Sequence, residues 1–223
     1  ILGKLTMKDW LYEFKLESER PEGSKIYSFV SSDGVNPKKG FRDSELIIAD
    51  EFRPKESEDV LVAEPGYGFL GVVLADKVSK GEVLVVNSSD RADQLTQLNL
   101  ERNDISNAET EKAAFYSEIE RKFDNAVYSP KSYEPVNIVK NRISDIIGLL
   151  RPSGCLYISG KKTDGINRYR DYLKDSEGKL EKVEQRGSQK LYRYTKTENS
   201  RPEKPEIEKS FDSEVRQVKM NFS

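Results

Sequence analysis

Histidine is absent from the 223 residues, and cysteine occurs once, as Cys155. Without an imidazole the chain lacks the commonest general base near neutral pH, the commonest zinc ligand and the middle member of every His-dependent triad. Its chemistry must therefore require little proton transfer, and no metal site is expected. A lone cysteine excludes an internal disulfide. Its setting, "GCLYISG", reads as a buried strand in which a thiol acts as a small inert hydrophobe, pointing to a reducing compartment. No apolar run approaches the ~20 residues that cross a bilayer. The opening "ILGKLTMKDW" lacks the continuous apolar segment of a secretion signal, so the expectation is a cytoplasmic protein with no membrane contact. An excess of one charge is missing too: 37 Lys+Arg stand against 39 Asp+Glu, for a net charge of -2. No overall field draws polyanions in, so any nucleic acid must be met by local basic clusters.

What is present, 35% apolar residues in 223, suits one main domain with its own core. In "DWLYEFKLES" the residues Trp10, Tyr12, Phe14 and Leu16 recur at period two, and "SKIYSFV" follows the turn residues "RPEG", which predicts a β-hairpin. The loop "SSDGVNPKKGFRDS" leads to a helical "ELIIADEF", with Ser44 as its cap. From about Asp59 strands alternate with helices. The strands are "DVLVAE", "EVLVVN", one near "KAAFYS", "DNAVYS" and "GCLYISG"; the helices follow Gly68 and fall in "ADQLTQLNLERN" and "NIVKNRISDIIGLL". Such alternation argues for a parallel sheet covered on both faces. "KLEKVEQRGSQKLYRYT", broken at Gly187, reads as a closing antiparallel hairpin. The expected organisation is an N-terminal hairpin and lead-in loop at 1–43, the α/β domain at 44–197 and a tail at 198–223. In that tail Ile207, Phe211, Val215, Val218 and Phe222 have the spacing of a short docked helix, the alternative being a disordered or partner-binding tail.

The informative stretch is "VAEPGYGFLG", where Gly66, Gly68 and Gly71 satisfy G-x-G-x-x-G after a strand. In a dinucleotide fingerprint a fixed negative charge at the strand end would repel the pyrophosphate. Here the strand ends in Glu64, which suits a cationic ligand; S-adenosylmethionine, with an ammonium and a sulfonium, fits better than NAD. The glycines are also compatible with a plain turn of the chain.

With these residues in view, the segment from about Ile26 to Lys196 resembles the class I S-adenosylmethionine-dependent methyltransferases, and more narrowly the "methyltransferase small" domain of small-subunit ribosomal RNA guanine-N2 methyltransferases. "EPGYGFLGVVLA" resembles that family's glycine motif. "SDGVNPKKGFRDSELII" resembles its preceding G-V-F-S and D-x-G-T segment, with Asn36 and Arg42-Asp43-Ser44 as variants. "GLLRPSGCLYISGKKTDGINRYRDYL" is similar to the fifth strand and its surroundings. The resemblance implies a three-layer Rossmann-like sheet of seven strands with the last antiparallel, S-adenosylmethionine as cofactor, and a structured RNA as partner. It also implies cofactor-binding roles for Glu64, Gly66, Tyr67 and Gly68, for Asn87 at the ribose, and for Phe115 beside adenine, where the ring would either stack or belong to the core.

Three positions depart from that pattern. Asn87 stands where an acid usually accepts both ribose hydroxyls, so charge assistance is lost. Phe115 replaces a polar side chain. After the fourth strand the family's N-P-P-F, which holds the target amine and stacks the flipped base, is replaced by Ser129, Pro130, Lys131 and Ser132. Methyl transfer to a neutral amine is mostly positioning, so the acceptors at Ser129 and Pro130 carry the expected catalytic role, with Lys131 and Tyr133 beside the substrate. Tyr128 is a second possible stacking face. Lys131 would bring a cation toward a cationic donor unless a substrate phosphate neutralises it. Lys38, Lys39 and Arg42, and the cluster Lys161, Lys162, Arg168 and Arg170, would flank an RNA. The expected function is methyl transfer to a base amino group of ribosomal or other RNA; the alternative is a non-catalytic binding or scaffold module with a drifted site. An NAD(P) oxidoreductase lacks a recognisable hydride-transfer site.

Overall fold

A computed structural model describes residues 11–20, 23–198, 200 and 202–205. The tail helix expected around Ile207 to Phe222, and Trp10 of the hairpin, lie outside these residues. A two-stranded antiparallel hairpin, β1 (Leu11–Arg20) and β2 (Gly23–Ser32), comes first. Then follow α1 (Asp43–Glu51), β3 (Val60–Ala63), α2 (Phe69–Ala75), β4 (Val83–Asn87), α3 (Asp90–Arg102), β5 (Ala108–Lys112), β6 (Phe123–Tyr128), α4 (Val136–Leu149), β7 (Leu150–Gly160), α5 (Ile166–Lys174), β8 (Lys179–Arg186) and β9 (Gln189–Thr195). The main sheet has seven strands in the order β5-β4-β3-β6-β7-β9-β8. β9 runs antiparallel to both of its neighbours, and the pairings from β5 to β7 are parallel. The expected three-layer α/β fold with its antiparallel last strand is therefore present.

Strand alternation builds the two cores. Val60, Val62, Val83 and Val85 face α1, α2, α3 and the hairpin, whereas Leu61, Ala63, Leu84 and Val86 face α4 and α5. This is why β3 and β4 read as unbroken apolar runs: both faces of each strand are covered. The outer strands β5 ("AETEK") and β8 ("KLEKVEQR") are instead rich in charge, which blunts an edge against further pairing.

The hairpin shares the first core. Phe14 packs edge-on against Phe41 and Tyr67, and Phe29 against Phe69, with ring centroids 5.3, 5.3 and 5.7 Å apart. Two asparagines zip β2 to α3. Asn99 accepts from the Val30 N–H (2.8 Å) and donates to the Val30 carbonyl (2.8 Å) and the Tyr67 carbonyl (2.7 Å). Asn103 does the same for Ser28, accepting at 2.9 Å and donating at 2.8 Å. Four helical residues rise about 6 Å and two strand residues about 6.6 Å, so amides at i and i+4 match alternate strand residues and stand in for a third strand.

Three local expectations are corrected. The third strand ends at Lys112, before "AAFYS": the ladder stops opposite Asn87, and Tyr116 turns inward to donate to the Val86 carbonyl (3.2 Å). Tyr116 is thereby buried and Phe115 is 59% exposed, so Phe115 is not a core residue. Ser44 is not the cap of α1. Arg42 holds that position in extended conformation, and no side chain caps the helix. Cys155 lies in a strand, β7, but is only half-buried. Among the described residues no helix is long and apolar enough to cross a membrane.

Replacing Asn99 with Leu leaves one buried N–H and two carbonyls without partners. We expect urea unfolding to report a loss of roughly 3 kcal/mol, with protease cleavage of the hairpin accelerated before global unfolding.

Candidate active site

Strand order reverses between β3 and β6, and in open α/β sheets ligands bind beyond the carboxyl ends of the strands at such a point. A cleft of ≈ 320 Å³ lies there, of the size that small-molecule sites have. Gly66 and Glu64 line it from the end of β3, Ser88, Ser89 and Ala92 from β4 and α3, Lys131, Tyr133, Glu134 and Pro135 from the loop after β6, and Gly34, Val35 and Asn36 from the loop before α1.

The glycine turn is required by backbone geometry and by packing. Gly66 and Gly68 have φ of 69° and 90°, where a side chain is strained. A Cβ on Gly66 would stand 2.5 Å from the Asn36 carbonyl oxygen, and one on Gly68 2.7 Å from Thr96 Cγ2. The loop 33–42 thus crosses directly over the turn. Tyr67 is wholly buried beneath it, donating to the Gly40 carbonyl at 2.8 Å; its side chain anchors the loop and does not line the cleft.

Glu64 is 5% exposed and has φ 51°, a conformation that costs a non-glycine residue about 1–3 kcal/mol and persists where neighbours over-determine it. Its N–H donates to the Val86 carbonyl at 2.8 Å. The carboxylate accepts from the Ser88 N–H and Oγ, both at 3.1 Å, and lies 3.2 Å from Arg142 Nη2. Arg142 also donates to the Tyr128 hydroxyl at 2.8 Å and to Glu134, and its guanidinium carbon lies 5.6 Å from the ring centroids of both Tyr116 and Tyr128. Burial opposes its charge, but Tyr128, Glu64, Tyr116 and Glu134 together raise its pKa. The Glu64 charge is therefore met from within the protein. Sequence reasoning missed Arg142 and Glu134. A signal existed, since Arg142 falls on the buried stripe of α4 with Val139, Ile143, Ile146 and Ile147.

Of the other expected site residues, Lys131 and Tyr133 line the cleft, whereas Asn87, Ser129, Pro130 and Phe115 do not. Asn87 is wholly buried; its amide donates to Thr96 Oγ1 at 3.0 Å, and its Oδ1 has no partner. Ser129 donates from Oγ to Ser44 Oγ at 2.6 Å, while the Ser129 and Pro130 carbonyls accept from Arg42 at 3.0 and 2.9 Å. Lys131 is 7% exposed, and burial lowers its pKa against the pull of Glu64, Glu134 and Glu45. Tyr133 is 65% exposed at the cleft mouth, whereas Tyr128 is fully buried and offers no stacking face. Phe115 lies outside the cleft lining. Lys38 and Lys39 are exposed on the covering loop, with Lys38 paired to Asp33 at 2.5 Å and 5.0 Å from the Tyr12 ring centroid. Lys161 and Lys162 follow the carboxyl end of β7, on the cleft side of the sheet.

Glu45, in the first turn of α1, is fully buried with both carboxylate oxygens unpartnered. Burial pushes its pKa from 4.5 up to about 7, against the opposing pull of the Arg42 guanidinium, Lys131 and the Arg42 backbone amide. The folded chain thus holds a proton that the unfolded chain releases, and stability falls as pH rises from about 4.5 to about 7. We expect Glu45→Gln to remove this slope. Urea titrations should show the variant gaining about 3 kcal/mol on wild type between the acid and alkaline ends of that window.

With this geometry in place, comparison with known proteins identifies the class. A family model of the methyltransferase small domain matches residues 26–193, and the chain belongs to that family. Among individual proteins, it is 26% identical over 145 residues to the uncharacterized protein YbxB of Bacillus subtilis (strain 168), covering 64% of this chain and 72% of that one. Its fold is similar to that of the T. Thermophilus 16S rRNA N2 methyltransferase RsmC in complex with AdoMet and guanosine, with TM-score 0.69 and 19% identity over 82% of this chain. The chain spans 50% of that structure's length. The precorrin-6y C5,15-methyltransferase of Geobacter metallireducens GS-15 is also similar, with TM-score 0.61 and 10% identity, covering 75% of this chain and 95% of that one.

Proposed function

We propose that the cleft at the β3/β6 switch point binds S-adenosylmethionine and that the chain transfers its methyl group to a base amino group of a structured RNA in the cytoplasm. The reading is carried by the cleft over the Gly66 turn and, one residue before the lining Ser88, a buried acceptor, Asn87 Oδ1, that has no donor. A buried acceptor without a partner is rare and calls for an explanation, and a ribose hydroxyl would supply the missing hydrogen. The surrounding groups fit the cofactor. Asn87 would take a ribose hydroxyl once the residues covering it shift, Ser88 and Ser89 offer further hydroxyls, and Lys131 suits a carboxylate. Glu64 would act indirectly, by fixing the Ser88 N–H and Oγ that border the cleft.

When bound, the cofactor would supply an electrophilic methyl group on a sulfonium. The protein's part is then to orient a nucleophile and exclude water, which needs no strong base. Tyr133, exposed at the mouth, is suited to stack on an extruded base. Lys38, Lys39, Lys161 and Lys162 lie on exposed segments along the same rim and would meet phosphates locally, as a chain of nearly zero net charge requires. One observation favours a second reading, a non-catalytic binding module: the Ser129 hydroxyl and the Ser129 and Pro130 carbonyls are all engaged within the protein.

Calorimetry with S-adenosylmethionine tests the binding step. Ser89 is exposed, lines the cleft and makes no capping hydrogen bond. Ser89→Trp is therefore expected to weaken binding at least about ten-fold while changing stability by no more than about 0.5 kcal/mol. Absence of heat and of a thermal shift at high cofactor concentration would sink the reading. Transfer of labelled methyl groups to ribosomal or transfer RNA separates the enzyme from the binding module.

A further inference from the structure

Arg42 is an unusual residue to find where it is. It occupies the N-cap of α1, where a positive charge opposes the helix dipole, and it contributes no side-chain cap. Instead its guanidinium reaches across to the loop after β6 and donates to the Ser129 carbonyl (3.0 Å) and the Pro130 carbonyl (2.9 Å). One helical turn on, Glu45 Oε1 stands 3.9 Å from Arg42 Nη1, beyond hydrogen-bond reach, and both Glu45 oxygens are buried without partners. A buried carboxylate with no well-formed hydrogen bond, beside a guanidinium that could supply two, is an incomplete arrangement.

We propose that Arg42 has two positions: in the one seen here it occupies the main-chain acceptors at which a target amine would be held, and in the other it pairs with the Glu45 carboxylate and leaves those acceptors free. Arg42 is thus a positioning and gating residue for the methyl-transfer site. The assignment of the carbonyls to a target amine rests on the function proposed above; the two positions of the side chain do not. The Ser129 hydroxyl stays on Ser44 in either position, so the freed acceptors are main-chain carbonyls, which no substitution at 129 or 130 removes.

The charge state of Glu45 sets the balance. The titratable groups acting on it are Arg42 from its own segment, Lys131 from the loop after β6 and Tyr67 from the turn after β3. Arg42 and Lys131 favour the ionised form, whereas Tyr67 stays neutral because burial raises its own pKa. Protonated Glu45 leaves Arg42 on the carbonyls; ionised Glu45 attracts it.

The test follows the Arg42 Nε–Hε resonance of the full chain by nuclear magnetic resonance, assigned by its loss in Arg42→Met. In wild type it should move with a midpoint near the Glu45 value of about 7, and in Glu45→Gln it should stay still. A resonance that does not titrate, or that titrates equally in Glu45→Gln, overturns the proposal. In a second arm guanosine is titrated at about pH 6, below the Glu45 midpoint. Arg42→Met is expected to bind it about five-fold more tightly than wild type, the effect of freeing about one net hydrogen bond. Equal affinity overturns the claim that Arg42 competes with an amine. Failure of S-adenosylmethionine to bind would defeat the functional reading alone, since neither arm contains the cofactor.

Discussion

The buried guanidinium of Arg142 is the constraint on which the site depends. It lies close to the rings of Tyr116 and Tyr128 and engages Glu64, Glu134 and the Tyr128 hydroxyl. It thereby ties together the end of β3, the end of β6 and the loop before α4. Removing a buried charge from such a set leaves its partners uncompensated, which is costlier than never having placed them there. The pairing also explains how Glu64 persists with a positive φ. Its amide, its carboxylate and the following turn are each held by a separate contact, so no single relaxation relieves the strain.

Around that centre the charges balance. Glu45, Glu64 and Glu134 face Arg42, Lys131 and Arg142, and most of these six side chains are nine-tenths buried or more. Arg42, Glu64, Glu134 and Arg142 have close ion-pair or hydrogen-bond partners, whereas Lys131 feels the three carboxylates at longer range. Neither Glu45 oxygen is hydrogen-bonded, and burial raises its pKa. The cleft and the charged groups around it therefore make a neutral, polar setting more than an acidic one.

Much of the architecture was legible in the sequence because it depends on patterns that repeat. The unbroken apolar runs of β3 and β4 and the alternation around Gly187 each express burial on two faces or on one. Where a single residue decided the outcome, periodicity was silent. Tyr116 and Phe115 are neighbours, and a strand ending at Lys112 sends the first inward and the second outward. Arg42 in place of Ser44 at the helix start was hidden because its side chain serves a loop 87 residues away. The glycine turn was readable as a turn, but what lies over Gly66 is the chain's own Asn36. Glu64 stood out as a charge at a strand end, but the partner that meets it, Arg142, 78 residues later, was visible only as a lone arginine on an apolar helical stripe.

The charged outer strands β5 and β8 bear on how this protein can assemble. A foreign strand approaching either margin would have to align its backbone with side chains such as Glu109, Glu111 and Lys112, or Lys179 and Lys182, and dehydrate them as it docked. Growth of the sheet from copy to copy, the route toward fibrous aggregates, is thereby discouraged at both ends. The loop-bearing rim is left as the face where contact need not disturb the ladder of hydrogen bonds that holds the fold.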